Sequence, residues 1–199
     1  MSKTSAGMTP MYRSYHIAAV LVPLLISTVA VAKEPLKSGH QPGEELSDLF
    51  EPLNVTGPFA GEQHCLVCEN GANPVAMIFA RDLTDPLMKL IARIDEATEK
   101  HRDQEMGSFV VFLSEDEQLK GKLEAAAKKH ALKHTILAID APAGPDGFKI
   151  AKGADVTVVL YKRHKVQANY ALAKGELTNQ AIDAVLADIP KILPAKKTK

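Results

Sequence analysis

The chain has no tryptophan, only two cysteines, and an aromatic share of 5%. An interior without large rings must be filled by Leu, Ile, Val and Ala. No charge of one sign dominates, because 24 Lys and Arg face 24 Asp and Glu. That balance excludes the basic excess with which proteins displace counterions from phosphates, so no nucleic-acid partner is expected. No Gly-x-Ser-x-Gly, phosphate-binding glycine loop or His-Glu-x-x-His occurs, and no cofactor is expected. Repeats are absent as well. What is present, 46% hydrophobic and 24% charged residues over 199 positions, excludes wholesale disorder and fits one domain with tails.

The longest apolar stretch lies at the start. Residues 1–16 carry Lys3 and Arg13 and no acid, and residues 17–32 are apolar or small, ending in Ala30-Val31-Ala32 before Lys33-Glu34. A basic start, an apolar centre and an Ala-x-Ala exit predict a signal peptide over 1–32 and an exported protein, periplasmic or secreted. The stretch is interrupted by Pro23, and it falls short of the roughly 20 residues that span a bilayer. No stable membrane association is expected once it is removed. Export would place both cysteines where disulfides persist.

Residues 33–53, polar and rich in Pro and Gly, predict a linker or loosely attached arm. The domain proper is expected over 54–193, and residues 194–199 form a basic tail. Pro74–Ala80, Ser108–Leu113 and Thr135–Ile139 are short apolar runs of strand length. Thr84 with Pro86 predicts a helix start, and Leu87, Leu90, Ile91 and Ile94 carry the helix to about His101. Ser114-x-x-Glu117 reads as a capping box for a second helix. Val156–Tyr161 and Val166–Leu172 flank Lys162-Arg163-His164-Lys165 as a hairpin, and Thr178 or Asn179 caps a last helix that Pro190 ends.

Strands alternating with helices imply a mainly parallel α/β sheet, to which the hairpin adds antiparallel strands. This order over about residues 74–193, with Cys65-Leu66-Val67-Cys68, resembles the thioredoxin-like superfamily. The resemblance implies a three-layer sandwich of about five mixed strands with helices on both faces. It also implies thiol–disulfide oxidoreductase chemistry at Cys65 and Cys68, with protein thiols or disulfides as partners. The family sets its cysteine pair after the second strand, at the start of the next helix. Here the position after Ser108–Leu113 holds Ser114-Glu115-Asp116-Glu117, and the pair precedes Pro74–Ala80 in a loop.

The stretch from Gly61 to Pro74 is where reactive side chains cluster, and three readings compete there. A Cys65–Cys68 disulfide closing so small a ring contributes about 2 kcal/mol and would clip a loop with little core of its own. That clip suits a non-enzymatic binding or scaffold domain. Alternatively the pair does redox work, with His64 the neighbouring group able to assist proton transfer. Glu62 and Glu69 would raise the thiol pKa values, and no helix start is evident, so the dithiol is expected to be sluggish. Third, His64, Cys65 and Cys68 could ligate a metal, with His40, His101 or a carboxylate completing the set. Haem attachment is a weaker reading still, because Glu69 stands where Cys-x-x-Cys-His needs its histidine. The redox reading is the one carried forward.

Overall fold

The computed structural model describes residues 35–194, with Met1 and Gly7. The signal peptide read over 1–32 and the basic end from Lys196 therefore lie outside the described residues, those two positions apart. No helix among the described residues is long and apolar enough to cross a membrane.

A six-stranded sheet is ordered β1 (Leu53–Asn54), β4 (Thr135–Asp140), β3 (Gly107–Leu113), β2 (Pro74–Ala80), β5 (Val156–Lys162) and β6 (Lys165–Leu172). Its centre is β2 (Pro74–Ala80), all seven residues of which are buried. A strand covered on both faces has no polar side to show, hence the unbroken apolar run. Thr84 accepts the Leu87 N–H at 3.4 Å and starts α2 (Asp85–Lys100), whose Leu87, Leu90, Ile91 and Ile94 are buried. The chain returns as β3 (Gly107–Leu113), parallel to β2, then α3 (Leu119–Lys129) and β4 (Thr135–Asp140), parallel to β3. Two right-handed crossovers in the same direction set α2 and α3 on one face of the sheet. On the other side of β2, β5 (Val156–Lys162) and β6 (Lys165–Leu172) form the hairpin, antiparallel throughout. Its two-residue turn holds Arg163 and His164 at φ 51° and 58°, the sense of turn that matches strand twist. Finally α4 (Asn179–Asp188), capped by Thr178, joins α2 and α3 on their face, where Lys89 reaches Asn179 at 2.7 Å.

The sheet has six strands rather than about five. The added one, β1 (Leu53–Asn54), pairs antiparallel with β4 and is two residues long, too short to leave a pattern. Ser114 and Glu117 do not form a capping box. Ser114 accepts the Asp116 N–H and Asp116 accepts the Gln118 N–H, successive turns that postpone α3 to Leu119. Layering also differs in detail. Three helices share one apolar layer, and the opposite layer is covered by a five-residue helix and two irregular segments.

One of those segments is the stretch expected to be a loose arm, and its residues 35–53 are docked instead. Ser38, His40 and Leu46 are buried. Ser38 Oγ meets Thr157 Oγ1 at 2.7 Å, and Asn169 donates to the carbonyls of Ser38 and His40. Glu45 bridges Lys165, so the arm screens the outer edge of β6. Its polarity hides two apolar anchors: Leu46 belongs to the core layer that holds Phe79 and Phe148, and the Phe50 ring sits against both of those rings.

Burial and the nearby Lys149 hold the His40 imidazole below its ordinary value of 6.5. The folded ring therefore stays neutral at pH values where the unfolded chain already takes up a proton. Its contribution to stability is complete above about pH 6.5 and is lost as the pH falls toward the depressed folded value. The denaturant midpoint should drop between pH 7 and 5, and a His40→Phe variant should flatten that drop. An unchanged slope in the variant would show that other groups set the pH dependence.

Candidate functional site

The chain leaves β1 and turns back on itself: Asn54 N–H donates to Glu62 O at 2.9 Å, and His64 N–H to Pro52 O at 3.3 Å. Cys65 then adopts extended backbone and caps α1 (Leu66–Asn70), its Sγ accepting the Cys68 N–H at 3.1 Å. Leu66 and Val67 are fully buried among Val75, Met77, Phe109 and Tyr161, which fixes the helix to the sheet. Gly71 ends it, and its N–H reaches Val67 O and Cys68 O. The far end seats on β3 because Gly107 has no side chain. A Cβ there would run into the Asn70 amide.

Cys65 and Cys68 form a disulfide with Cα atoms 5.3 Å apart. Its two residues differ in exposure. Cys65 is 7% exposed and belongs to the core cluster, whereas Cys68 is exposed on the outer side of α1. The expectation of a loop without a helix start is thus corrected: Cys65 is itself the N-cap. Five residues ending in Asn-Gly carry no readable period, so only the Cys65 cap position could have signalled it.

His64 lies beside the pair. Its ring stacks on Phe59, with centroids 3.6 Å apart and planes at 15°, and Nε2 is 3.2 Å from Glu69 Oε2. Among the described residues no hydrogen bond joins the ring to either sulfur. Phe59, which holds the ring flat, escaped the sequence reading because a lone aromatic in a Gly-Pro loop has no pattern. The metal reading loses its ligands here. Both sulfurs are bonded to each other, and among the described residues no group of three or more His, Cys, Asp or Glu is placed to hold an ion. The buried Tyr161 hydroxyl in this layer has no partner among the described residues, and burial pushes its pKa up, out of reach of acid–base work near neutrality.

A second feature lies at the opposite end of the sheet. With β1 counted, the second strand is β2, and the helix that follows it begins at Thr84-Asp85, without cysteine. A cavity of about 750 Å³ opens there, with Leu83, Pro86, Leu119 and Leu177 as its apolar floor and Asp155 at its wall. Arg81 shapes that wall. Its guanidinium donates to the carbonyls of Pro142, Ala151 and Ala154 at 2.8, 3.3 and 3.0 Å, fastening the loop between β4 and β5 to the end of β2. The disulfide is not at this cavity, since α1 ends beside the start of β3 and the β5–β6 turn, where Arg163 N–H meets Ala72 O.

No protein-family model matches the chain, and no curated protein matches it in sequence. Solved structures do match it in shape. A Bacteroides thetaiotaomicron protein described as a disulfide isomerase superposes with a TM-score of 0.60 at 17% identity, covering 79% of this chain and 94% of that one. Reduced 2-Cys peroxiredoxin from Plasmodium vivax gives 0.56 at 17% identity over 77% and 96%. A DsbF homologue from Corynebacterium diphtheriae gives 0.54 at 13% over 75% and 90%. At such identities the likeness speaks to architecture, and the architecture is a thioredoxin-like fold.

Proposed function

We propose that this is an exported thiol–disulfide exchange protein whose working bond is Cys65–Cys68. The observation that carries the reading is the pairing of an exposed residue, Cys68, with a sheltered one, Cys65, whose sulfur already accepts a backbone N–H. A partner thiolate reaches Cys68 Sγ. The new S–S bond forms there as the old one breaks, and the electron pair leaves on Cys65 Sγ. The Cys68 N–H hydrogen bond stabilises that departing thiolate. A second partner thiolate attacks the mixed disulfide, releasing Cys68 and leaving the partner oxidised by two electrons. The partner's two protons end on the protein's thiols. His64, adjacent to Cys65 and turned by Glu69, is the base that takes the incoming thiol's proton.

The kinship of shape with disulfide-handling proteins supports this reading, as does the leader-like start of the sequence. Equilibration against thiol–disulfide buffers tests it. A reduction potential above about −250 mV is expected, whereas one below about −300 mV would make the bond a structural clip. Export is tested by intact mass: protein recovered from the native compartment should begin at Lys33, and an uncleaved chain in the membrane fraction would overturn it.

A further inference from the structure

The charge of the chain segment that carries the disulfide is one-sided. Between Lys37 and Arg81 there is no Lys or Arg, while Glu44, Glu45, Asp48, Glu51, Glu62 and Glu69 all fall in that interval. The far end of the stretch is compensated, since Lys149 lies 3.4 Å from Glu44. The end that carries the disulfide is not. Glu69 directly follows Cys68 and is paired only with His64, and Glu62 is exposed and without an ion-pair partner among the described residues. The β5–β6 turn brings basic residues near, with Arg163 N–H on Ala72 O and Lys162 opposite Pro74, yet among the described residues neither forms an ion pair with Glu62 or Glu69.

Resting on the exchange reading above, we infer that the partner of Cys68 is a thiol in a cationic setting, such as a cysteine flanked by Lys or Arg in a polypeptide. Anionic thiols, glutathione among them, are disfavoured. The physical basis is the attacking group itself. A thiolate approaching Cys68 brings a negative charge toward Glu62 and Glu69, and a positive charge carried beside it offsets that repulsion. Because the site is exposed, the effect is modest per carboxylate and screened by salt. The helix start at Cys65 does not reverse it, because that hydrogen bond goes to the leaving sulfur and not to the attacker.

The test is the rate at which three small thiols reduce Cys65–Cys68 in the oxidised full-length protein. Cysteamine carries a positive charge, 2-mercaptoethanol none, and mercaptoacetate a negative one. Rates are expressed per thiolate, divided by the same thiol's rate with a small uncharged disulfide so that intrinsic nucleophilicity cancels, and measured at low ionic strength and a pH above the range in which imidazoles are charged. The expected order is cysteamine, then 2-mercaptoethanol, then mercaptoacetate, with steps of about threefold from Coulomb interaction through water at ~8 Å. Adding ~0.5 M salt should collapse the series, the Debye length then being well below 10 Å. Glu62→Gln should narrow it, and Glu62→Gln/Glu69→Gln should narrow it further. Equal rates per thiolate at low salt would overturn the charge preference while leaving exchange intact. Failure of all three thiols, the neutral one included, would overturn the exchange reading and the preference with it.

Discussion

A Cys65→Ser variant, with Cys68 as its single thiol, should react with the neutral probe 4,4′-dithiodipyridine at least ~10-fold faster than Cys68→Ser, whose remaining thiol is Cys65. Access sets the difference. Cys68 is exposed on the outside of α1, whereas Cys65 is 7% exposed and sits in the apolar layer. Both variants should fold. Serine is a good N-cap, so Ser at position 65 can still accept the N–H of residue 68. The lost ring is worth only about 2 kcal/mol. The same variant should retain mixed disulfides with native partners, and Cys68→Ser should not. A faster Cys65 would reverse the assigned order of attack and leaving. Equal, vanishing reactivity in both would favour the clip.

The largest effect on stability is expected far from the sulfurs. Asp95 of α2 is 8% exposed, and its carboxylate accepts the backbone N–H groups of Lys133, His134 and Thr135 at 3.2, 2.8 and 2.7 Å. These donors lead into β4, so one side chain stands in for the main-chain partners that the turn cannot supply. Hydrogen bonds to a charged group contribute ~1.5–3 kcal/mol each, and three backbone donors would be stranded together. Asp95→Ala should therefore cost ~3–5 kcal/mol. That corresponds to a Tm lowered by ~6–20 °C at 2–4 °C per kcal/mol. Asp95→Asn, which keeps one acceptor oxygen, should lose less. A thermal scan reads both, and a loss under ~1 kcal/mol for the alanine variant would mean that water or a shifted turn satisfies these groups.

The contrast between Asp95 and β2 marks what could be read in advance. Pro74–Ala80, α2 and the hairpin follow from short-range physics: a continuous apolar run, a Thr-x-Pro start, and two strand-forming runs around a tight turn. Their boundaries agree with the sequence to within a residue or so. The features that went unread depend on distant partners. β1 exists only because β4 offers it an edge, and the 35–53 segment is fixed by Thr157, Lys165 and Asn169. Among the site residues, Cys65, Cys68 and His64 were legible as a local cluster. Their geometry was not. The cap at Cys65 and the Phe59–His64 stack are properties of the folded loop, and Arg81, with its three carbonyls from residues 142–154, has no local signature at all.

The docked N-terminal segment also sets an order of events in synthesis. Ser38 finds its partners at Thr157 and Asn169, separations of 119 and 131 residues. A chain that emerges from its N-terminus makes this segment early, yet cannot seat it until the β5–β6 hairpin, near the far end, has been delivered. The acidic stretch bearing both cysteines follows directly behind. If delivery is threaded across a membrane, the cysteines reach the oxidising side before the sheet that shelters Cys65 is complete. With only three residues of separation, their bond can close without waiting for any of it.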